Sequence, residues 1–256
     1  MDLPAVEPAV LIFHISRCGS TLISQLLATS NQHIVLAEVP FFDDVLRLPH
    51  KVPDYNRTSI NELLGDVIKY YAQKKAGNEK HVVIKTDSWH IFFYRQLRQL
   101  YPLVPFILIY RNPAEVFRSH KKQAGMQAVP GLIEPQLFGY KPEKFTYDAD
   151  IYLASVLERY LEQYLEIIQT DDHFLLLNYD EGPMPVIQRI ALFANIALTT
   201  AELAVMEQRS RYHSKKPGEQ FSEKALTCIP PILDKAIKLY TALEEKRMAI
   251  YGAAEK

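Results

Sequence analysis

Three short stretches carry residues able to hold anions. The first is Leu11-Ile-Phe-His-Ile-Ser-Arg-Cys-Gly-Ser-Thr-Leu-Ile-Ser-Gln-Leu-Leu27, in which an apolar run stops at Ser16-Arg17-Cys18-Gly19-Ser20-Thr21 and an apolar helical pattern follows at once. In a strand–loop–helix of this kind, backbone N–H groups and the positive end of the helix dipole point into the loop, and Arg17 adds a full charge. It is not the standard nucleotide loop, G-x-x-x-x-G-K-[ST], because the first glycine and the Gly-Lys pair are both missing. The second stretch follows the apolar run Val104–Tyr110 and reads Arg111-Asn-Pro-Ala-Glu-Val-Phe-Arg-Ser119-His120. Pro113 suits the first turn of a helix, where its missing N–H costs nothing. An arginine fork at the strand end and the Ser119 hydroxyl about two turns along can share one phosphate. The third is Arg211-Tyr-His-Ser-Lys-Lys-Pro-Gly218, a basic loop containing Ser214, Lys215 and Lys216. Alone it reads as solvated surface; beside two other anion-binding elements the functional reading is the better one.

Other residues carry groups that could join these. Lys85 ends the apolar run His81–Thr86 and is followed by Asp87 and Ser88. A lysine there is commonly solvated, but the apolar residues Val82–Ile84 before it at a ligand edge favour a role. Cys18 sits at a helix N-terminus beside Arg17, where a thiol pKa can fall. A phosphatase-type Cys-x5-Arg loop would need arginine where Ser24 stands, so Cys18 reads as a small loop side chain. Asp43-Asp44 reads as a solvated helix turn rather than a metal pair. His14 and His90 flank strand ends, Trp89 is either a core or an acceptor-pocket residue, and Lys121-Lys122 suit a helix C-terminus.

The elements that must position these groups alternate. Strand candidates are Ala9–Ile15, Ile34–Ala37, His81–Thr86, Val104–Tyr110 and Phe174–Tyr179, near-continuous apolar runs suited to a parallel sheet covered on both faces. Helical stretches are Thr21–Ser30, Ser59–Lys75, Ile91–Leu100, Pro113–Lys122, Ala149–Gln169, Pro185–Asn195, Thr200–Arg209 and Pro231–Tyr251. In Ala149–Gln169, Tyr152, Val156, Tyr160, Tyr164 and Ile168 recur as a buried stripe. The expectation is an α/β, three-layer fold of P-loop nucleotide-binding type, with a central, mainly parallel sheet flanked by helices. Ligands of such sheets sit at the C-terminal strand ends, which gathers Ser16–Thr21, Lys85–Ser88, Arg111–Pro113 and Asp180 on one rim. The chain is expected to form one domain over residues 1–256. Gln123–Asp148, with Gly125, Pro130, Gly131, Pro135, Gly139 and Pro142, reads as a lid or loop insertion.

Composition narrows the function. The 256 residues are 48% hydrophobic and 23% charged, enough for a core without disulfide or metal staples. A net charge of −1 disfavours broad nucleic-acid or membrane-surface binding while allowing a local basic pocket. Two cysteines, Cys18 and Cys228, fit a reducing compartment. The start Met1-Asp-Leu-Pro-Ala-Val-Glu lacks a basic n-region and long apolar core, and no run approaches the ~18 apolar residues of a membrane span. The chain therefore reads as cytoplasmic, with no nucleic-acid or membrane partner; its oligomeric state is left open.

Taken together, these motifs resemble the sulfotransferases that use 3′-phosphoadenosine 5′-phosphosulfate (PAPS). The family's phosphosulfate loop has a [KR]-x-G-[ST]-T core, here Arg17-Cys18-Gly19-Ser20-Thr21. Its arginine, Asn-Pro and serine eight residues after the arginine match Arg111, Asn112-Pro113 and Ser119, implying a 3′-phosphate site. Phe174–Tyr179 followed by Asp180-Glu181 looks like the family strand ending in Tyr-Glu or Tyr-Asp. Arg211–Gly218 resembles its late phosphate loop, which implies donor contacts for Ser214, Lys215 and Lys216, although the Arg-Lys-Gly form of cytosolic members is not reproduced. The resemblance spans roughly Val10 to Gly218.

What the resemblance implies is sulfuryl transfer from PAPS to a hydroxyl or amine of a small-molecule or peptide acceptor, leaving 3′,5′-adenosine bisphosphate. Like phosphoryl transfer, it depends on positioning and charge stabilisation. No metal is expected, because Arg17, the loop amides and Lys85 can neutralise the leaving group. Cytosolic members often carry Lys-Thr-His, with the histidine as base; here the run is Lys85-Thr86-Asp87, so the base must be sought among carboxylates. Glu38 looks like the glutamate that serves in tyrosylprotein and heparan-type sulfotransferases and is put ahead of Asp87. A carboxylate is a weak base near pH 7 unless burial raises its pKa. His14 falls where many relatives place an aromatic residue, which favours packing. Two other readings compete. One is a P-loop kinase-like phosphotransferase using ATP and Mg, with Asp87 as the strand-end metal ligand. The other is a catalytically inactive nucleotide-binding protein. Acceptor choice is assigned to Gln123–Asp148 and Phe41–Asn56, where Phe41, Phe42, Phe138, Tyr140 and Phe145 either line an apolar pocket or pack the loop.

Overall fold

A computed structural model describes residues 4–52, 57–141, 145–212, 214 and 228–252. Strands β1 (Pro8–His14), β2 (His33–Ala37), β3 (His81–Lys85), β4 (Phe106–Tyr110) and β5 (Phe174–Asn178) form one parallel sheet in the order β2-β3-β1-β4-β5. This is the α/β three-layer arrangement that the apolar runs imply, with strand ends within two residues of those read from sequence. Strands β4 and β5 are buried at every residue, because helices cover both faces of the sheet.

Chain order dictates which face each helix takes. From β1 the chain passes outward over β3 to reach the edge strand β2, with helix α1 (Ser20–Leu27) as the crossover. Every later crossover runs the other way: α2 (Pro40–Lys51) and α3 (Arg57–Tyr71) to β3, α4 (Tyr94–Leu100) to β4, then α5 (Pro113–Lys122) and α6 (Ala149–Thr170) to β5. Right-handed crossovers of opposite direction lie on opposite faces. After β5, α7 (Pro183–Phe193) and α8 (Thr200–Ser210) pack on α1, while α9 (Asp234–Tyr251) packs on α5 and α6. The reversal of direction occurs at β1, so its C-terminal end opens a crevice.

Two features depart from the sequence pattern. Helix α2 is longer than the single helix turn read at Asp43-Asp44: Pro49 lies inside it, although Pro40 in its first turn and Phe42, Val45 and Leu46 on its buried face are ordinary helix signals. The stretch foreseen as a helix from Ile91 divides into a 3-10 turn, Ser88–Phe93, and α4. The segment after α5 carries its own core of Gln127, Ala128, Ile133, Leu137 and Phe138. Phe138 meets Tyr152 and Tyr160 edge-on, and Tyr140 stacks on Tyr152 at 5.2 Å. The aromatic stripe of α6 thus anchors this segment. Among the described residues, no helix is long and apolar enough to cross a membrane.

Candidate functional site

The loop after β1 turns on two left-handed residues. Arg17 has φ 63° and Gly19 has φ 88°. Gly19 caps α1 with no side chain filling the cap, so the helix end is presented to the crevice. A Cβ on Gly19 would lie 2.2 Å from the Tyr179 ring, which closes over the loop from the end of β5. Only glycine fits both the backbone and the space. Arg17 reaches across to β4's side of the crevice, where its Nε donates to Ser119 Oγ at 2.9 Å. Cys18 turns the other way, into the core, and donates to the Ile109 carbonyl at 3.7 Å. Burial pushes its thiol up to about 11, which leaves the residue's backbone, not its sulfur, at the loop.

Arg111 leaves the end of β4 between two carboxylates, Glu115 at 2.5 Å and Asp180 at 3.2 Å, with its guanidinium 5.8 Å from the Tyr179 ring centre. The Asn112 side chain accepts from the Ala114 N–H at 2.9 Å and so fixes where α5 starts. That start sets Ser119 on the crevice side. Beyond α8, the Ser214 carbonyl accepts from Gln25 Nε2 at 3.0 Å. Lys215 and Lys216 lie outside the described residues.

These elements line one cavity of about 540 Å³, floored by Ser16, Arg17 and Gly19–Leu22 and walled by Arg111, Ser119, Tyr179, Tyr212 and Ser214. Its other lobe is formed by His14, Glu38, Asp87, Ser88, Trp89 and Gln123–Gln127. The sequence-derived set Arg17, Gly19, Ser20, Thr21, Glu38, Asp87, Arg111, Ser119 and Ser214 therefore meets in one place. Lys85 sits beneath it, with a side chain only 2% exposed, and its Nζ donates to Glu38 Oε1.

The two carboxylates at the strand ends differ in kind. Glu38 follows β2 in a left-handed conformation, φ 52°. Burial pushes its carboxyl up, but the His14 ring and the Lys85 ammonium outweigh burial and hold it well below the usual carboxylate range. Asp87 has no such cation in contact. Burial, then the neighbouring Glu38 and Asp43 carboxylates, push it up to about 7. His14 Nε2 points at the Thr86 carbonyl at 2.9 Å and lies 3.6 Å from Glu38 Oε1; burial and Lys85 keep its pKa below the ordinary histidine value.

Asp43 is not the solvated residue that its sequence neighbourhood suggests. Asp44 is exposed and pairs with Lys51 at 3.0 Å, but Asp43 points inward. Its Oδ1 accepts from Trp89 Nε1 at 2.6 Å and from His90 Nε2 at 2.9 Å, and its Oδ2 accepts from Arg47 at 2.8 Å. Burial pushes Asp43 up, and the His90, Trp89 and Arg47 hydrogen bonds bring it down to about 2. Asp43, Asp87 and His90 place ligand-type atoms within 4.8 Å of one another. However, His90 Nδ1 accepts the Asp87 N–H at 3.1 Å, so the hydrogen-bond network assigns the ring proton to Nε2. His90 thus turns a proton, not a lone pair, toward Asp43.

Sequence reasoning missed Tyr179 and Tyr212 as cavity residues and favoured packing for His14, whereas Gln123–Gln127 falls within the segment Gln123–Asp148 to which acceptor choice was assigned. His14 had a usable signal, since it is the last residue of β1 and faces the ligand rim. Tyr179 had a weaker one, as the residue after β5. Of the two readings for the aromatic residues Phe41, Phe42, Phe138, Tyr140 and Phe145, pocket lining or packing, none lines the cavity: Phe42 and Phe138 are core residues, Tyr140 and Phe145 pack on Tyr152, and Phe41 is exposed.

A family model described as a sulfotransferase domain matches residues 7–228. Three solved structures share the fold. The sulfotransferase domain from the curacin biosynthetic pathway superposes with a TM-score of 0.56 at 15% identity, covering 95% of this chain and 99% of that one. A sulfotransferase from Mycobacterium avium gives 0.54 at 16% identity, over 98% and 77% of the two chains. One from Mycobacterium tuberculosis gives 0.52 at 13% identity, over 93% and 77%. No curated protein matches the sequence.

Proposed function

The chain belongs to the sulfotransferase domain family, and on that footing we propose that its cavity takes PAPS as donor and a hydroxyl or amine as acceptor. The observation that carries the donor assignment is the meeting of two anion-binding elements at the end of β1. These are the open N-terminus of α1 with Arg17, and Arg111 with Ser119 on α5. The fit rests on this chain's own chemistry: a glycine cradle that a Cβ would fill, two guanidinium groups and a hydroxyl. Lys215 and Lys216, outside the described residues, belong to the same proposal through the motif alone, as do the backbones of Cys18, Ser20 and Thr21. PAPS, when bound, would supply the electrophilic sulfuryl group, and its 5′-phosphate would be the leaving group, retained on 3′,5′-adenosine bisphosphate. Arg17, Lys85 and the loop N–H groups place positive charge where negative charge develops.

Asp87 is assigned as the base. Its carboxylate removes the acceptor's proton, and a group titrating at about 7 suits that task at neutral pH. Glu38 is assigned a different duty, holding Lys85 and facing His14. The electrostatics thus favour Asp87 over Glu38, the reverse of the order taken from family likeness. Glu38→Gln is expected to lower kcat by about 100-fold while kcat/KM keeps an acid limb. A flat profile in Glu38→Gln, with the limb retained in Asp87→Asn, would reverse the two roles.

Ligand-dependent melting tests the donor assignment. At about a hundred times its Kd, 3′,5′-adenosine bisphosphate should add roughly 2.7 kcal/mol of stability, several degrees in Tm for a domain of this size. ATP with Mg should add far less. A shift with ATP and Mg alone sinks the donor assignment and favours phosphotransfer.

A further inference from the structure

We propose that Asp43, acting through His90, is the positioning residue for Asp87. In this role it fixes the conformation of the turn that carries the base and keeps a second carboxylate beside it. The proposal rests on the assignment of Asp87 as base. A continuous polar chain carries it. The Asp87 N–H donates to His90 Nδ1, and His90 Nε2 donates to Asp43 Oδ1. Arg47 donates to Asp43 Oδ2 and, through Nε and Nη2, to both oxygens of Glu134 at 2.7 and 3.0 Å. The chain therefore joins four separate pieces of the fold: the end of β3, the turn Ser88–Phe93, α2, and the segment after α5.

The burial of this chain is what asks for an explanation. His90 is fully buried and the Arg47 side chain is 8% exposed. A buried ion pair is poor value for stability, since apolar residues of similar volume often serve packing as well or better. A charge kept there is explained by what it does to the ionisable group at the end of the chain.

The groups facing Asp87 set the sign. Glu38 approaches from the end of β2 and Asp43 from α2, both disfavouring the ionised form. Lys85 on β3 and Arg47 on α2 act in the opposite direction. His90 lies on the same turn with Nε2 3.8 Å from Asp87 Oδ2, His14 faces His90 from β1, and Tyr160 of α6 bonds to Ser88. Burial lowers the proton affinity of both histidines. Deleting the Asp43 charge should therefore let Asp87 ionise at lower pH, and deleting the Arg47 charge should do the reverse.

The test is the pH dependence of kcat/KM together with direct titration of the Asp87 carboxyl by carbon-13 NMR. In Asp43→Asn the acid limb and the NMR titration should both move down by about one pH unit, with affinity for 3′,5′-adenosine bisphosphate unchanged. In Arg47→Gln both should move up, and this second variant decides the matter if the first does not fold. An unmoved Asp87 titration overturns the proposal, even if kcat falls, because a merely structural role lowers the rate without moving the titration. A moved titration with an unmoved rate limb supports the coupling and refutes Asp87 as base.

Discussion

Asp87→Asn is expected to lower turnover by about a thousand-fold or more, to leave bisphosphate affinity within a factor of about two, and to make the protein more stable at pH 8. The last effect follows from the raised proton affinity of the native carboxyl, about 7 against an ordinary value near 3.9. The folded state holds this proton more tightly than the unfolded chain does. The associated stability is fully present below about pH 4 and is lost progressively as pH rises to about 7. Above that, an ionised Asp87, with only 14% of its side chain exposed, costs about 4 kcal/mol. Asparagine does not ionise, so urea melts should show the variant's advantage at pH 8 and a smaller one at pH 5. A variant less stable than the parent at both pH values would show that Asp87 is a structural carboxylate. An inactive but more stable variant is the signature of a group held in an unfavourable state for function.

The parts of the site that lie within one strand–loop–helix unit were legible in the sequence. Arg17–Thr21, Arg111 and Ser119 are read from local order alone, because an apolar run bounded by a loop and a helical pattern fixes which residues reach the rim. Contacts made by sheet order were less so. Lys85 and Glu38 meet because β2 pairs with β3, placing Ala37 beside Lys85 in register; nothing local to either residue states that pairing. Asp43 shows a different limit. Two successive acids read as a solvated helix turn, and only the rotation of α2 decides that Asp43 faces Trp89 and His90 while Asp44 faces water. Cys18 shows a third. Its direction depends on the left-handed turn at Arg17, which sends the thiol toward Ile109 and leaves the guanidinium in the crevice.

The same turn supports the second large prediction, Gly19→Ala. A methyl group there would stand 2.2 to 2.6 Å from three atoms of the Tyr179 ring, far inside any van der Waals contact. Alanine would also have to adopt φ 88°, a conformation that costs an L-residue about 1–2 kcal/mol. The ring cannot yield without consequence, because it packs beside the Arg111 guanidinium on the other wall of the cavity. One added carbon therefore disturbs both anion-binding elements: it bends the loop at the N-terminus of α1 and displaces the wall beside Arg111. Calorimetry should show the Kd for 3′,5′-adenosine bisphosphate raised by about 100-fold or more, some 2.7 kcal/mol, with a smaller loss in stability. In Gly19→Ala/Tyr179→Ala the clash is gone and only the backbone strain is left, so part of the lost affinity should return relative to Gly19→Ala. Affinity within threefold of the parent in the single variant would mean that the loop does not hold the ligand where the crevice places it. No recovery in the double variant would assign the whole loss to the backbone turn and none to the ring.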